Sequence, residues 1–579
     1  MLFKNKKFYL GLVILALIPR LWGLDYGLPF LYNVDEAQVV PAAIRFGSGD
    51  LNPHTFVYPP FFHYILFFLD ICYFVTGYIL RVFESVHQFK IAYFSDPSPF
   101  YLIGRIASAV FGSLTVLATC LLGKKLYNRK TGVLASVFLI FYPLHFLYSR
   151  LALPDVAMTC FATVSLIALV GYYQSKRSKD LIIAGLLAGF AVATKYTTGL
   201  IVLPFLAVHW LHWRQAHWHQ PTHFLKRLVL GYVFILAGFL IANPFSVIDF
   251  SAFVRDMQFN SLASSNPGSF FFGFGHYVRE LFLPAWGEVG HYFGILCLIG
   301  SLYALYKRTS ADFLLLLFAW VQLLVFSKLV ANPIKPVYIL PVMPIFFILG
   351  ARLLSDLFDQ INKRLPFGKA FSVLILAVLL FWPVKWTIIK CYSASRNDTV
   401  TVARQWIETH IPAGSKILYT DKHDLMLKES RDSIMKKIDS GEEEIPIHYE
   451  EKLEAIENYE GPTYEIVRLP HLWGGMTEEK MERTELLPPG VVPFEKIKVS
   501  VAYWLRDHVD YVILFPKQRA VYLSKASREA YPYYYEFYAN VENHGKLLKR
   551  FDPDRIHFTG YAIEIYAFLK DSQDLKPVN

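Results

Sequence analysis

Two adjacent carboxylates, Asp35 and Glu36, follow the first apolar stretch of the chain in the sequence YNVDEAQVVP. A third acidic residue, Asp155, comes directly after a proline in YSRLALPD, between two later apolar stretches. A carboxylate in such a place can take a proton from an attacking hydroxyl or amine. Because burying an ionisable group near a membrane otherwise costs several kcal/mol, these residues predict a functional site.

Basic residues accompany these carboxylates. Arg105 lies near the start of the apolar stretch 101–123, which is the second predicted span, Lys195 at a break in ATKYTTG, and Lys335 in NPIKPVY. Cations of this kind neutralise a phosphate or diphosphate leaving group. The combined set suits an anionic, lipid-linked substrate.

Each candidate also has a purely structural interpretation. Asp35 alone would cap the helix that begins at Glu36. Arg105 and Lys195 would be interfacial anchors whose long stems lie along apolar surface. Asp155 would mark no more than the start of a helix.

Other residues that often bind metals do not form a convincing site. Five histidines lie close together on the side predicted to be cytoplasmic, without a carboxylate partner: His209, His212, His217, His219 and His223. The five cysteines show no paired spacing, which argues against both a disulfide framework and a zinc site.

The composition indicates a polytopic membrane protein. Of 579 residues, 54% are hydrophobic and only 18% charged, which excludes an ordinary soluble globule. Apolar runs near the roughly 20 residues that cross a bilayer recur along the chain, and helices are the expected spans. The net charge of +10 comes largely from basic clusters beside these runs, so the positive-inside rule explains it better than nucleic-acid binding.

Charge parity predicts the topology. Basic clusters before residue 8 and at 124–130 place both segments on the cytoplasmic side, so an even number of crossings must separate them. Of the apolar stretches 8–24, 61–80 and 101–123, the second begins with two prolines and is rich in tyrosine. We expect it to be an interfacial or shallow re-entrant helix, with an ordinary span as the alternative. The count is then about eleven spans, with Arg20 an interfacial anchor and 248–288 a large outer loop.

The composition changes after residue 390. Strand-like KILYTD, DYVILF and AIEIYAFL alternate with helical stretches such as TVARQWIETH. The sequence therefore predicts a transmembrane domain at 1–390, with a first outer loop at 25–100, and a soluble α/β domain at 391–579. The same parity puts the α/β domain outside the cytoplasm.

Residues 1–390 resemble the GT-C superfamily of glycosyltransferases, above all the protein O-mannosyltransferases and the aminoarabinose transferases of lipid A. The resemblance is carried by YNVDEAQVVP followed by VYPPFFHYIL, by YSRLALPDVAM, by GLLAGFAVATKYTTG and by VYILPVMPIFF. It implies a GT-C fold with outer juxtamembrane helices, including the Pro-Pro segment.

The resemblance also implies roles. The sugar donor would be a polyprenyl or dolichyl phosphate sugar, transferred with inversion. Asp35, with Glu36 beside it, would be the general base or would organise the acceptor. Asp155 would shape the acceptor side or, with Asp35, hold a divalent metal ion. Arg105 and Lys195 would contact the donor phosphate. Lys335 is the nearest cation to Val337 and Tyr338, where the family often has an Arg-Tyr pair.

The chain departs from the family pattern at two places. Aminoarabinose transferases carry Glu-Lys just before the two prolines, where this chain has Val57 and Tyr58. An Arg-Tyr pair often seen in the family reads Val337 and Tyr338 here. The acceptor, whether glycan, lipid or protein, is therefore not inherited from either subfamily.

We expect a glycosyltransferase of the cell inner membrane that acts at its outer face on a polyprenyl-phosphate sugar, with membrane lipid and no nucleic acid among its partners. The alternative is a flippase or transporter of lipid-linked sugars, which predicts inverted repeats with paired broken helices. One broken pair surrounds Lys195, and the sequence has no second copy of it. A non-catalytic accessory protein is the third interpretation.

Overall fold

The computed structural model describes residues 6–33, 35–216, 221–263, 270–282, 290–329, 336–420, 425–439, 449–469, 505, 509–523, 532–553 and 560–568. Within these ranges, seven helices are long and apolar enough to cross a membrane: Phe61–Ile79, Ser98–Leu126, Asp155–Ser175, Phe224–Ala242, Ser310–Lys328, Pro336–Arg364 and Gly368–Ala394. The prediction of a multi-pass helical membrane protein is confirmed.

Shorter helices lie between the long ones: Lys6–Leu21, Glu36–Arg45, Arg129–Ile140, Pro143–Tyr148, Ser178–Thr194, Val202–Ala216 and Gly290–Lys307. The count of about eleven spans stays a prediction. So does the interfacial position of helix Phe61–Ile79, which meets the same criteria of length and composition as the other six.

The chain forms two compact units, both discontinuous in sequence. Unit 1 comprises residues 1–24, 39–70 and 102–391, and unit 2 comprises 25–38, 71–101 and 392–579. The sequence predicted instead a single division at residue 390.

In unit 1, helices Asp155–Ser175 and Ser178–Thr194 form a hairpin, and helix Pro221–Ala242 packs against the second of them. Glycines allow this contact: a Cβ at Gly189 would come within 2.2 Å of the Ile235 carbonyl oxygen. Small residues of this kind let helix backbones approach closely in membrane proteins.

Three parts of unit 1 depart from a pattern of long spans and plain loops. The apolar stretch 131–148 is divided into helices Arg129–Ile140 and Pro143–Tyr148, because Pro143 cannot donate a helical hydrogen bond. The predicted outer loop at 248–288 contains helices Phe250–Ala263 and Phe270–Phe282. A 3₁₀ helix, Pro336–Val342, precedes helix Met343–Arg364.

Unit 2 contains the predicted α/β domain. Its strands are β1 Lys416–Thr420, β2 Glu465–Leu469, β3 Tyr511–Leu514, β4 Gly545–Phe551 and β5 Ile563–Phe568. They form one sheet in the order β2-β1-β3-β5-β4, in which β1 pairs in parallel with β2 and β3, and β5 runs antiparallel to β3 and β4. The helices are Val86–Ser95, Thr399–His410, Arg431–Asp439, Tyr449–Glu457, Pro516–Tyr522 and Pro532–His544. All three predicted strands and the predicted helix in TVARQWIETH are present.

The segment 25–38 is fixed within unit 2 by specific contacts. Phe30 is buried in the same apolar cluster as Val400 and Ile407. The Tyr32 hydroxyl donates to Asp398 at 2.6 Å, and Asp398 caps helix Thr399–His410. These contacts order the chain immediately before Asp35.

Candidate functional site

A buried ion pair joins two of the predicted site residues in unit 1. The Lys195 ammonium donates to Oδ1 of Asp155 at 2.6 Å, and the two side chains are 12% and 3% exposed. The sequence predicted both as site residues, and the structure brings them into direct contact. Among the described residues, this is the one hydrogen bond that the Asp155 carboxylate accepts.

The end of one helix and the start of another position this pair. Asp155 is the first residue of helix Asp155–Ser175. Lys195 is an extended residue directly after helix Ser178–Thr194, and its carbonyl accepts the Thr198 hydroxyl at 3.0 Å. The two helices form a hairpin. Asp155, at the start of the first helix, therefore lies beside Lys195, which follows the end of the second.

Two tyrosine rings flank the ammonium group. Lys195 Nζ lies 5.6 Å from the centre of the Tyr58 ring and 5.9 Å from that of Tyr338. Phe326 stacks on Tyr338 with its centroid 5.7 Å away. Aromatic faces attract cations, so the rings hold Lys195 without consuming its remaining N–H donors.

A neighbouring amide supports this arrangement. Gln322, on helix Ser310–Leu329, donates to the Thr197 carbonyl at 2.8 Å and to the Tyr338 carbonyl at 3.4 Å. Gln322 thereby connects the backbone just after Lys195 to the backbone of Tyr338, whose ring lies beside the ammonium group.

The chain that carries Tyr58 is held by helix Phe250–Ala263, which lies within the predicted outer loop at 248–288. The Phe56 amide donates to Asp256 at 2.6 Å, and Asn260 donates to the Val57 carbonyl at 3.2 Å. Nearby, the Asn52 amide donates to Asp249 at 2.9 Å and lowers the pKa of that carboxyl. These polar contacts fix the segment just before the two prolines.

Two arginines bind the backbone after the first helix. Arg105 is fully buried and donates to the Leu24 carbonyl at 2.9 Å. Arg150 donates to the carbonyls of Trp22 and Gly23 at 2.8 and 2.7 Å. The part of Arg105 in binding a donor phosphate stays a prediction.

Arg20 is not the interfacial anchor that the sequence predicted. It is fully buried, donates to the Ala16 carbonyl at 2.7 Å and lies 3.0 Å from Nδ1 of His145. The Ala16 carbonyl, one turn earlier in the same helix, and the His145 imidazole, from helix Pro143–Tyr148, replace the water that an anchor would have reached.

The acidic pair begins a short helix. Helix Glu36–Arg45 starts at the predicted residue, and Glu36 is fully buried. The Asp35 amide donates to the Asn33 side chain at 2.9 Å, a local turn immediately before the helix. The catalytic roles of both carboxylates stay predictions.

The remaining candidates contribute little to the site as described. Lys335 lies outside the described residues. The part of the chain that the structure describes holds no group of three metal-binding side chains, so a cation on Asp35 and Asp155 stays a prediction. His209 and His212 bond to the carbonyls of Phe205 and Tyr173, whereas the side chains of His217, His219 and His223 lie outside the described residues.

Residues 102–242 match a family model described as dolichyl-phosphate-mannose-protein mannosyltransferase. The matched segment contains Arg105, Asp155 and Lys195. An uncharacterized protein of Aquifex aeolicus is 26% identical over 283 residues, which are 48% of this chain and 53% of that protein. The chain therefore spans about half the length of the curated relative it matches.

Two solved structures show the fold. ArnT of Cupriavidus metallidurans, with undecaprenyl phosphate bound, has a TM-score of 0.51 at 14% identity and covers 97% of this chain and 98% of its own. The apo oligosaccharyltransferase of Archaeoglobus fulgidus has a TM-score of 0.51 at 13% identity and covers 100% and 76%. Both are GT-C proteins, so the fold predicted from the sequence is confirmed.

Proposed function

Because this chain has the fold of the GT-C membrane glycosyltransferases and matches a mannosyltransferase family model over residues 102–242, we propose that it transfers a sugar from a polyprenyl-phosphate carrier. The acceptor would lie at the outer face of the cell inner membrane, where unit 2 would also reside.

The observation that carries this proposal is the pair of Asp155 and Lys195. It is buried, it lies within the matched segment, and among the described residues its ammonium donates to Asp155 and otherwise lies beside two aromatic rings. Lys195 can therefore keep its bond to Asp155 and still offer N–H donors to an anionic group. A phosphate ester that gains charge as the sugar departs is the ligand such a group stabilises best.

In the proposed reaction, an acceptor oxygen attacks the anomeric carbon from the face opposite the lipid phosphate. The new glycosidic bond forms as the bond from the anomeric carbon to the phosphate oxygen breaks, so the configuration inverts. Asp35, beside Glu36, takes the acceptor's proton. The polyprenyl phosphate leaves with the bonding electrons, stabilised by Lys195 together with Arg105 and Lys335.

Asp155 keeps the ammonium of Lys195 in place between turnovers. Without a carboxylate partner, a buried lysine would shift toward its neutral form, and a neutral amine attracts a phosphate only weakly. In this proposal Asp155 also borders the acceptor side, where with Asp35 it would hold a divalent cation through oxygen ligands.

The experiment is transfer of radiolabel from polyprenyl-phosphate sugars carrying mannose, glucose or aminoarabinose in membranes that contain the protein. We expect release of label from one donor by the wild type and none by Asp35→Asn. The matched control is Asp25→Asn, which changes an exposed acid in the same segment and should leave transfer intact. Equal transfer by both variants would remove Asp35 from the mechanism. Movement of intact donor across the bilayer without transfer would instead support a flippase.

A further inference from the structure

A groove of about 420 Å³ opens on unit 1 between the helix hairpin and the end of helix Ser98–Leu126. Its walls change in character along its length. Val164, Ala168 and Leu187 line one part, Ser175 and Asp180 lie at the other, and Lys125 lies between them beside the Ile167 carbonyl. A groove that combines apolar walls with charged groups complements the apolar chain and polar headgroup of a lipid.

The charged end holds a cation and an anion side by side. Lys125 donates to the Ile167 carbonyl at 3.0 Å, which leaves two of its three N–H donors. Asp180 accepts from the Ser175 hydroxyl. A Cβ at Gly171 would lie 2.8 Å from Lys125 Nζ and 4.0 Å from Asp180 Oδ2, so both charged groups border the space above that glycine.

The apolar part of the groove runs along about two turns of helix. Val164 and Gly171 lie seven positions apart on helix Asp155–Ser175, about 10 Å along its axis. The hydrocarbon core of a bilayer is roughly 30 Å thick. An acyl chain that followed this wall from the charged groups would thus have about a third of that thickness in contact with the groove.

We propose that this groove binds a glycerophospholipid whose headgroup carries both a phosphate and a primary amine. The phosphate would accept from Lys125, the ammonium would donate to Asp180, and one acyl chain would lie along Val164 and Leu187. A purely anionic headgroup would bring its charge close to the Asp180 carboxylate, and a trimethylated amine has no N–H to donate.

The site would bear on the catalytic region through the helices that the two share. Helix Asp155–Ser175 begins with Asp155, and helix Ser178–Thr194 ends immediately before Lys195. The groove lies at the opposite ends of this hairpin, so a lipid bound there would fix the helices that carry the ion pair. The lipid site itself does not depend on the proposed sugar transfer.

The experiment uses the full-length protein, purified and delipidated in detergent. Binding of three lipids with identical acyl chains is measured by native mass spectrometry and by the shift in melting temperature. We expect the primary-amine phospholipid to bind about tenfold more tightly than the trimethylated or the anionic one. Equal affinities for all three, or binding of polyprenyl phosphate alone, would overturn the proposal.

Variants locate the site. Ala168→Trp fills the groove and should abolish the preferred binding, whereas Leu236→Trp, on an exposed position of helix Pro221–Ala242, is the matched control and should not. Asp180→Asn should erase the preference for the amine over the anionic headgroup. The ratio of the two affinities is measured within one preparation, so it does not depend on the yield of folded protein. An unchanged preference in Asp180→Asn would contradict the assignment.

Discussion

Among its described residues, unit 1 contains two buried pairs of opposite charge, and they differ in how many hydrogen bonds the surrounding chain gives to the carboxylate. Asp312 is fully buried and binds Arg352. It also accepts the Tyr127 hydroxyl at 2.6 Å, and the amide and hydroxyl of Thr309 at 2.8 and 2.6 Å. Both of its oxygens are therefore occupied.

The pair of Asp155 and Lys195 is less complete. In the described part of the chain, Asp155 accepts from Lys195 alone, and the ammonium otherwise faces the rings of Tyr58 and Tyr338. Burial therefore does not by itself identify a functional ion pair. The saturated pair is suited to hold helices together, whereas the pair with unused hydrogen-bonding capacity is suited to receive a ligand.

The largest expected effect is a loss of stability when the saturated pair of Asp312 and Arg352 is broken. Arg352→Met leaves the Asp312 carboxylate buried without its cation, and we expect it to lower the free energy of unfolding by about 3–5 kcal/mol. Sugar transfer per folded molecule should not change. Thermal unfolding in detergent measures the loss. The control is Lys130→Met, which breaks the exposed pair with Asp359 and should cost less than about 1 kcal/mol.

The next effect is on activity at the incomplete pair. The double variant Asp155→Asn with Lys195→Met removes both charges together, so no uncompensated charge remains buried. We expect transfer to fall by about 100-fold or more, equivalent to about 3 kcal/mol, with a smaller stability loss than in Arg352→Met. Near-normal transfer by a folded double variant would show that this pair, too, is structural.

A smaller effect should come from one hydrogen bond of the saturated pair. Tyr127→Phe keeps the ring 4.4 Å from the Arg352 guanidinium but removes the bond to Asp312. We expect a loss of about 1.5–3 kcal/mol in unfolding free energy. Tyr306→Phe, at a position 77% exposed on a nearby helix, should stay within about 0.5 kcal/mol of the wild type.

The smallest effect concerns the rings around Lys195. Tyr338→Leu removes one aromatic face, which we expect to cost about 1 kcal/mol, or about fivefold in transfer rate. Tyr338→Phe keeps the face and should retain the wild-type rate. If the two variants lost activity equally, the phenol oxygen rather than the ring would be the important group.

Much of the fold follows from local patterns in the sequence. The strands at 416–420, 511–514 and 563–568 are rich in β-branched and aromatic residues, and the break at Lys195 interrupts a continuous apolar run. Helices Phe250–Ala263 and Phe270–Phe282 were missed because they lie between spans, in a segment with many aromatic residues, serines and glycines. The apolar spacing of Phe270, Phe274 and Tyr277 was a usable signal for the second of them.

The candidate site was predicted in part. Asp155 and Lys195 were both named from the sequence, but the rings around them were not. Tyr58 was noted only as part of a departure from the family pattern and Tyr338 only as the tyrosine that follows Val337, yet both place aromatic faces beside Lys195. The interpretation of Arg20 as an anchor was wrong because the residue is buried beside His145, 125 positions along the chain, a tertiary contact that no local pattern reveals.

The part of Asp155 and Lys195 in sugar transfer is tested most directly by the release of polyprenyl phosphate from its labelled sugar ester by purified protein in liposomes. The release is compared between the double variant Asp155→Asn with Lys195→Met and the single variant Arg352→Met. We expect the folded fraction of Arg352→Met to release the carrier at the wild-type rate, and the double variant to be folded but inactive. Equal release by the folded double variant and the wild type would show that this pair has no part in transfer.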